Sequence, residues 1–195
     1  MFKKAVFPAK YIQGAGAIGE LPLLIDLLGK QALILASASG KDKVLSRCDI
    51  DLHRRGIYHE LFRGECCESE LGRLSAVITQ KHVDVLVGMG GGKAIDTAKI
   101  VADRANIPVI IVPTIASTDA PCSGCAVLYS ENGVFDSVYY QKMNPAVVLV
   151  DVDIIAAAPS RFLVAGMGDA LATWFEARSC ERTQSANECG GYGTM

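Results

Sequence analysis

Residues 83–100 read VDVLVGMGGGKAIDTAKI: a short apolar run, four glycines, then a helical pattern. Glycines at a strand-to-helix bend let backbone N–H groups approach a phosphate closely. The helix that follows adds its positive N-terminal pole. Two familiar phosphate loops do not fit. A Walker A loop needs glycine where Val87 stands and Ser or Thr where Ala94 stands. The dinucleotide fingerprint G-x-G-x-x-G needs a third glycine where Lys93 stands. Gly90, Gly91, Gly92 and Lys93 therefore read as a different phosphate cradle. A turn without a ligand is the plainer alternative, but consecutive glycines cost unfolded-state entropy that a simple turn does not require. Asp96 is expected in the first turn of the helix, where a carboxylate complements the helix dipole.

A second group of polar side chains lies in PTIASTDAPCS, residues 113–123, directly after another apolar run. Thr114, Ser117, Thr118, Asp119 and Ser123 offer hydroxyls and a carboxylate at the carboxyl edge of a strand. Ligands of open α/β sheets bind at that edge. An Asx-turn before Pro121 accounts for the same residues without a ligand. Asp169 follows GMG and, from spacing alone, reads as a helix N-cap. His53, His59 and His82 form no i, i+4 pair of the zincin kind and read as surface or packing residues. Cys122 and Cys125 make one CxxC, and Cys66 and Cys67 are adjacent. A zinc ribbon lacks its second pair, and a thioredoxin-like site lacks its strand-to-helix context. Buried free thiols are the expectation.

The elements that must position these residues are short and apolar. QALILA (31–36), VDVLV (83–87), PVIIV (108–112) and AVVLV (146–150) lack polar alternation, as strands covered on both faces do. GIYHEL (56–61) is a weaker fifth. Leu71, Leu74, Ser75 and Ile78 share one helical face; Ala94, Ile95, Ala98, Val101 and Ala102 share another. Strands alternating with helices predict a doubly wound, mostly parallel α/β sheet. Asn132-Gly133 between β-rich flanks predicts a polar hairpin across 126–140. From Pro159 the pattern is helical, with Leu171, Trp174, Phe175 and Arg178 on one face. A boundary is expected near residue 160: an α/β domain over 1–160, and over 161–195 the first helix of an otherwise missing helical domain.

Composition bounds the partners. The 195 residues are 50% hydrophobic and 21% charged, with a formal net charge of −2, which suits a well-buried core and gives no footprint for nucleic acid. Pro8 and Lys10 break the N-terminal apolar stretch before it reaches signal-peptide length. The run IPVIIVPTIA is too short to span a bilayer. A cytoplasmic protein without nucleic-acid or membrane partners is the expectation.

Three motifs taken together, GMGGGKAIDTAK, PTIASTDAPCS and GDALATWFEAR, closely resemble the glycerol dehydrogenases of the metal-dependent, iron-type alcohol dehydrogenase superfamily. The likeness runs from KYIQGAGAIGEL to Cys189, and the second and third motifs are specific to that branch. The resemblance implies that an N-terminal domain binds NAD and that a helical domain completes a zinc site in the cleft. It implies that Gly90, Gly91, Gly92 and Lys93 hold the pyrophosphate, with Asp96 behind them. Thr114, Ser117, Ser123, Cys125 and Tyr129 match further dinucleotide contacts, Asp119 the polyol-binding position, and Asp169 a metal-binding aspartate. The implied reaction is oxidation of glycerol to dihydroxyacetone with zinc as Lewis acid, in a full-length form expected to be a homo-oligomer.

Two departures follow from the same comparison. Ser37 stands at the end of the second strand where the family has an aspartate for the adenosine ribose, and a neutral side chain there does not repel a 2′-phosphate. The family's other two zinc ligands are histidines downstream of Met195, so one of three expected ligands is present. The 195-residue polypeptide is accordingly expected to be inactive alone, with the face of Trp174 and Phe175 uncovered. A non-catalytic NAD-binding remnant or fragment is the competing expectation. A phosphopolyol dehydrogenase would need basic residues after Asp119, and the sequence supplies none there.

Overall fold

Six short strands form one sheet in the computed structural model, which describes residues 6–47 and 56–185. They are β1 (Lys10–Gly14), β2 (Ala32–Ala36), β3 (Ile57–Leu61), β4 (Val85–Gly90), β5 (Val109–Pro113) and, after two strands outside this sheet, β8 (Val147–Asp151). Their spatial order is β1-β8-β5-β4-β2-β3, and every neighbouring pair is parallel. All five anticipated strands are present. β1 is an addition. It is an edge strand with alternating exposure, so no continuous apolar run marks it.

Side chains alternate across the sheet and both faces are buried. Ala32, Ile34 and Ala36 point into one core with Leu21, Leu24 and Ile25 of α1 (Leu21–Leu28). Leu33 and Leu35 point into the other, with Leu71 and Leu74 of α3 (Glu68–Lys81) and Ile95, Ala98 and Val101 of α4 (Gly92–Ala105). Each such Leu or Ile contributes about 1.5–3 kcal/mol by leaving water. A short helix, α2 (Ala38–Lys43), follows β2. The predicted hairpin forms from β6 (Cys125–Tyr129) and β7 (Phe135–Tyr140), antiparallel, with Gly133 at φ 75°. Only glycine adopts that φ without strain.

Beyond β8 come α5 (Val152–Ala156) and the long α6 (Ser160–Thr183). No residue of α6 is buried; Leu171, Trp174 and Phe175 are 61, 46 and 56% exposed. Two placements differ from expectation. Asp169 is not an N-cap, because α6 already begins at Ser160 and runs through Gly166 and Gly168. A glycine inside a helix costs only about 1 kcal/mol, too little to break a long one. Asp96 is not in a first turn either: Gly92 opens α4, so Asp96 falls in the second turn. His53 and the tail at 189–195 lie outside the described residues.

Candidate functional site

Chain order reverses between β2 and β4: β3 lies outside β2, and β4 returns to its other side. Such a switch point opens a crevice at the carboxyl ends of the strands. The glycine bend stands there, beside Ser37, whose backbone N–H donates to Met89 O at 3.0 Å. The Ser37 hydroxyl accepts from Gly40 N–H at 3.2 Å and so caps α2.

Crowding explains the first glycine at the bend, weighs less on the second, where the end of the Ile115 side chain could turn aside, and does not bear on the third. A Cβ on Gly90 would lie 2.9 Å from Ala94 Cβ, and one on Gly91 would lie 2.9 Å from Ile115 Cδ1. At Gly92 a Cβ would meet only Thr118 Cγ2 at 3.6 Å, an ordinary contact. Packing therefore leaves the bare Cα of Gly92 open to a ligand. Gly91 is the N-cap of α4 and carries no side chain to bond the first turn. The N–H groups of that turn have no intrahelical acceptor and point outward from the positive pole of the helix. A diphosphate fits this cradle chemically.

Lys93, in the same turn, holds its ammonium 2.6 Å from Glu65 and 4.5 Å from the centre of the Tyr129 ring. Asp96 is buried, 7% exposed. Its carboxylate accepts from Val127 N–H at 3.0 Å and pairs with Lys99 at 3.4 Å. Burial pushes the Asp96 carboxyl above its ordinary pKa, against the pull of the Lys99 ammonium. Lys99 is fully buried and donates to Ala120 O at 2.9 Å, to Ser123 Oγ at 3.1 Å and to Cys125 O. Asp96 and Lys99 thus tie the loop after β5 and the start of β6 to α4. They position the site from behind. Sequence reasoning missed Lys99 and Glu65; the i, i+3 spacing of Asp96 and Lys99 was the available signal for the first.

The loop from β5 runs alongside. Thr114 is nearly buried, and its N–H donates to Gly90 O at 2.9 Å, locking the loop to the glycine bend. Asp119 N–H donates to the Asp169 carboxylate at 3.1 Å. A cavity of about 360 Å³ opens beside this loop rather than over the glycines, lined by Tyr11, Gln13, Thr118, Asp119 and Val150 among others. Ser117 and Cys125 are half-buried, and the Ser123 hydroxyl is already bonded within the loop. Asp119 and Asp169 meet, but among the described residues no three His, Cys, Asp or Glu side chains gather into a metal-binding group. The described residues do not by themselves fit a catalytic metal. Cys66, Cys67, Cys122, Cys125 and Cys180 are free thiols. Burial pushes Cys66 up to about 12.

A parallel sheet with a glycine bend at its switch point defines a doubly wound α/β domain. The family is narrower. Residues 8–152 match the iron-containing alcohol dehydrogenase model, and the chain belongs to that family. A glycerol dehydrogenase of Thermotoga maritima is 46% identical over 196 residues, covering 100% of this chain and 54% of that protein. One from Pseudomonas putida is 44% identical over 190 residues, covering 96% of this chain and 52% of its own length. The crystal structure of a probable glycerol dehydrogenase from Sinorhizobium meliloti superposes with a TM-score of 0.88 at 46% identity, over 99% of this chain and 53% of that one. The chain spans about half the length of the curated relatives it matches. Among the described residues no helix is long and apolar enough to cross a membrane.

Proposed function

We propose that this chain is the dinucleotide-binding half of a glycerol dehydrogenase-like oxidoreductase and that its glycine bend holds the pyrophosphate of NAD. The observation that carries the reading is the open Cα of Gly92 at the N-terminus of α4, bare where packing does not demand it. Bound NAD would supply the hydride acceptor. The chain's own residues do the holding. The first-turn N–H groups of α4 meet the diphosphate, and Lys93 adds a positive charge beside them. In this reading Ser37 would meet the adenosine ribose, and Thr114, Ser117, Ser123, Cys125 and Tyr129 would make the further dinucleotide contacts. The match to glycerol dehydrogenases supports glycerol as substrate, losing a hydride and a proton at its secondary hydroxyl to give dihydroxyacetone. Asp119, beside the cavity, is suited to accept from a polyol hydroxyl and so orient it.

Asp169 is proposed as one ligand of a metal, whose other donors would come from beyond the described residues. Residues 1–160 form the dinucleotide domain in this reading and 161–195 begin the second domain. Calorimetric titrations of the 195-residue chain with NAD and with zinc, run separately, test the reading. NAD binding supports it, and zinc binding would extend it to the metal. Absence of NAD binding at millimolar concentration would overturn it.

A further inference from the structure

The lysine of the glycine bend is already occupied. Lys93 sits in the first turn of α4, at the pole of the helix that disfavours a cation. Its ammonium is held there by the Glu65 carboxylate at 2.6 Å and by the face of Tyr129 at 4.5 Å. An isolated surface ion pair of this kind contributes little, but Glu65 is not a loose partner. Its Oε1 accepts from Cys66 N–H at 3.1 Å, and Cys66 O accepts from Tyr129 N–H at 2.8 Å. The acid and the ring that Lys93 meets are therefore fixed by one backbone segment packed on β6. The Glu65 side chain is 22% exposed and that of Lys93 43%, so the pair lies where solvent and an incoming anion reach it.

We propose that Glu65 is a resident counter-ion of the diphosphate site: its carboxylate engages Lys93 in the free chain, and a bound diphosphate must compete with it. This rests on the proposed pyrophosphate reading of the glycine bend. Glu65 then lowers the affinity of the site for diphosphates and eases their release. It is a positioning residue, acting on the ligand through Lys93 and through the field at the helix pole. Glu65→Gln removes the charge while keeping an oxygen for Cys66 N–H, so the segment retains its anchor.

ADP is the probe, titrated calorimetrically at low and high salt into the full 195-residue chain and into Glu65→Gln, Lys93→Met and the double variant. The expected result is that Glu65→Gln binds ADP about three- to tenfold more tightly at low salt. The gain should shrink at high salt, because a partly exposed pair is screened. It should also fall to a small residue in the Lys93→Met background, because the competition acts through that lysine. Equal or weaker ADP binding by Glu65→Gln overturns the inference, as does a gain that persists unchanged without Lys93. If none of the four proteins binds ADP, the pyrophosphate reading itself falls and takes the inference with it.

Discussion

The backbone N–H of Asp119 donates to the carboxylate of Asp169 at 3.1 Å, joining the loop after β5 to the middle of α6. Gly166 makes that approach possible. A Cβ there would lie 2.2 Å from Ala116 O, with backbone that cannot rotate away. Gly168, two residues on, has nothing within 4 Å. The two glycines therefore predict opposite outcomes. Gly166→Ala should push α6 off the loop and raise hydrogen exchange at the Asp119 amide, with little change in global stability because no residue of α6 is fully buried. Gly168→Ala should leave Asp119 protected and stabilise the helix by about 0.5–1 kcal/mol. Equal protection at Asp119 in both variants would show that the contact does not depend on Gly166.

The buried pair behind the bend is expected to matter far more for folding. Lys99 is 0% exposed, and removing it strands the Asp96 carboxylate. Lys99→Met should cost about 3–5 kcal/mol in urea unfolding, the range for breaking a buried pair by one partner. Adding Asp96→Asn should recover part of that loss, since the amide still accepts from Val127 N–H. A double variant no more stable than the single would refute the coupling.

Carboxyl titrations followed by carbon NMR should separate Asp96 from Glu68. Burial raises Asp96 above its ordinary 3.8, whereas the Arg104 guanidinium, bonded at 2.7 and 2.9 Å, lowers Glu68 below its ordinary 4.5. The signs oppose. Asp96 works against stability above its raised folded value, and that cost lifts as pH falls through it. Glu68 contributes stability above its unfolded value and loses it as pH falls through the lowered folded one. Arg104→Met should return Glu68 to the ordinary range and leave Asp96 unmoved.

Nucleotide choice should turn on Ser37. An aspartate there keeps an oxygen for Gly40 N–H, so α2 retains its cap. It also places a negative charge where a 2′-phosphate would come. Ser37→Asp should raise the ratio of NAD to NADP affinity by about tenfold, read by fluorescence titration with the reduced cofactors. An unchanged ratio would remove Ser37 from the adenosine end of the site.

Much of this architecture is legible in the sequence because both faces of the sheet are covered. That makes β2, β4, β5 and β8 continuous apolar runs, and Asn132-Gly133 marks the hairpin. The edge strand β1 escapes notice, since Tyr11 and Gln13 leave it half exposed. Helix starts are the least legible feature. The bend at 90–92 reads as loop, yet Gly92 already belongs to α4, which moves Asp96 into the second turn, where it is buried. GMG before Asp169 reads as a helix start, yet its first glycine is a contact surface inside α6. Glu65 and Lys93 lie 28 residues apart, and only the folded chain brings them together.

Backbone N–H groups at the bend are the proposed grip on the diphosphate, and amide chemical shifts on titration with NAD read them directly. Gly91, Gly92 and Lys93 should move saturably and together, while amides at the opposite edge of the sheet, such as His82, stay fixed. Signals of residues 90–93 that remain in place while NAD binds elsewhere, or at millimolar NAD without binding, would contradict it.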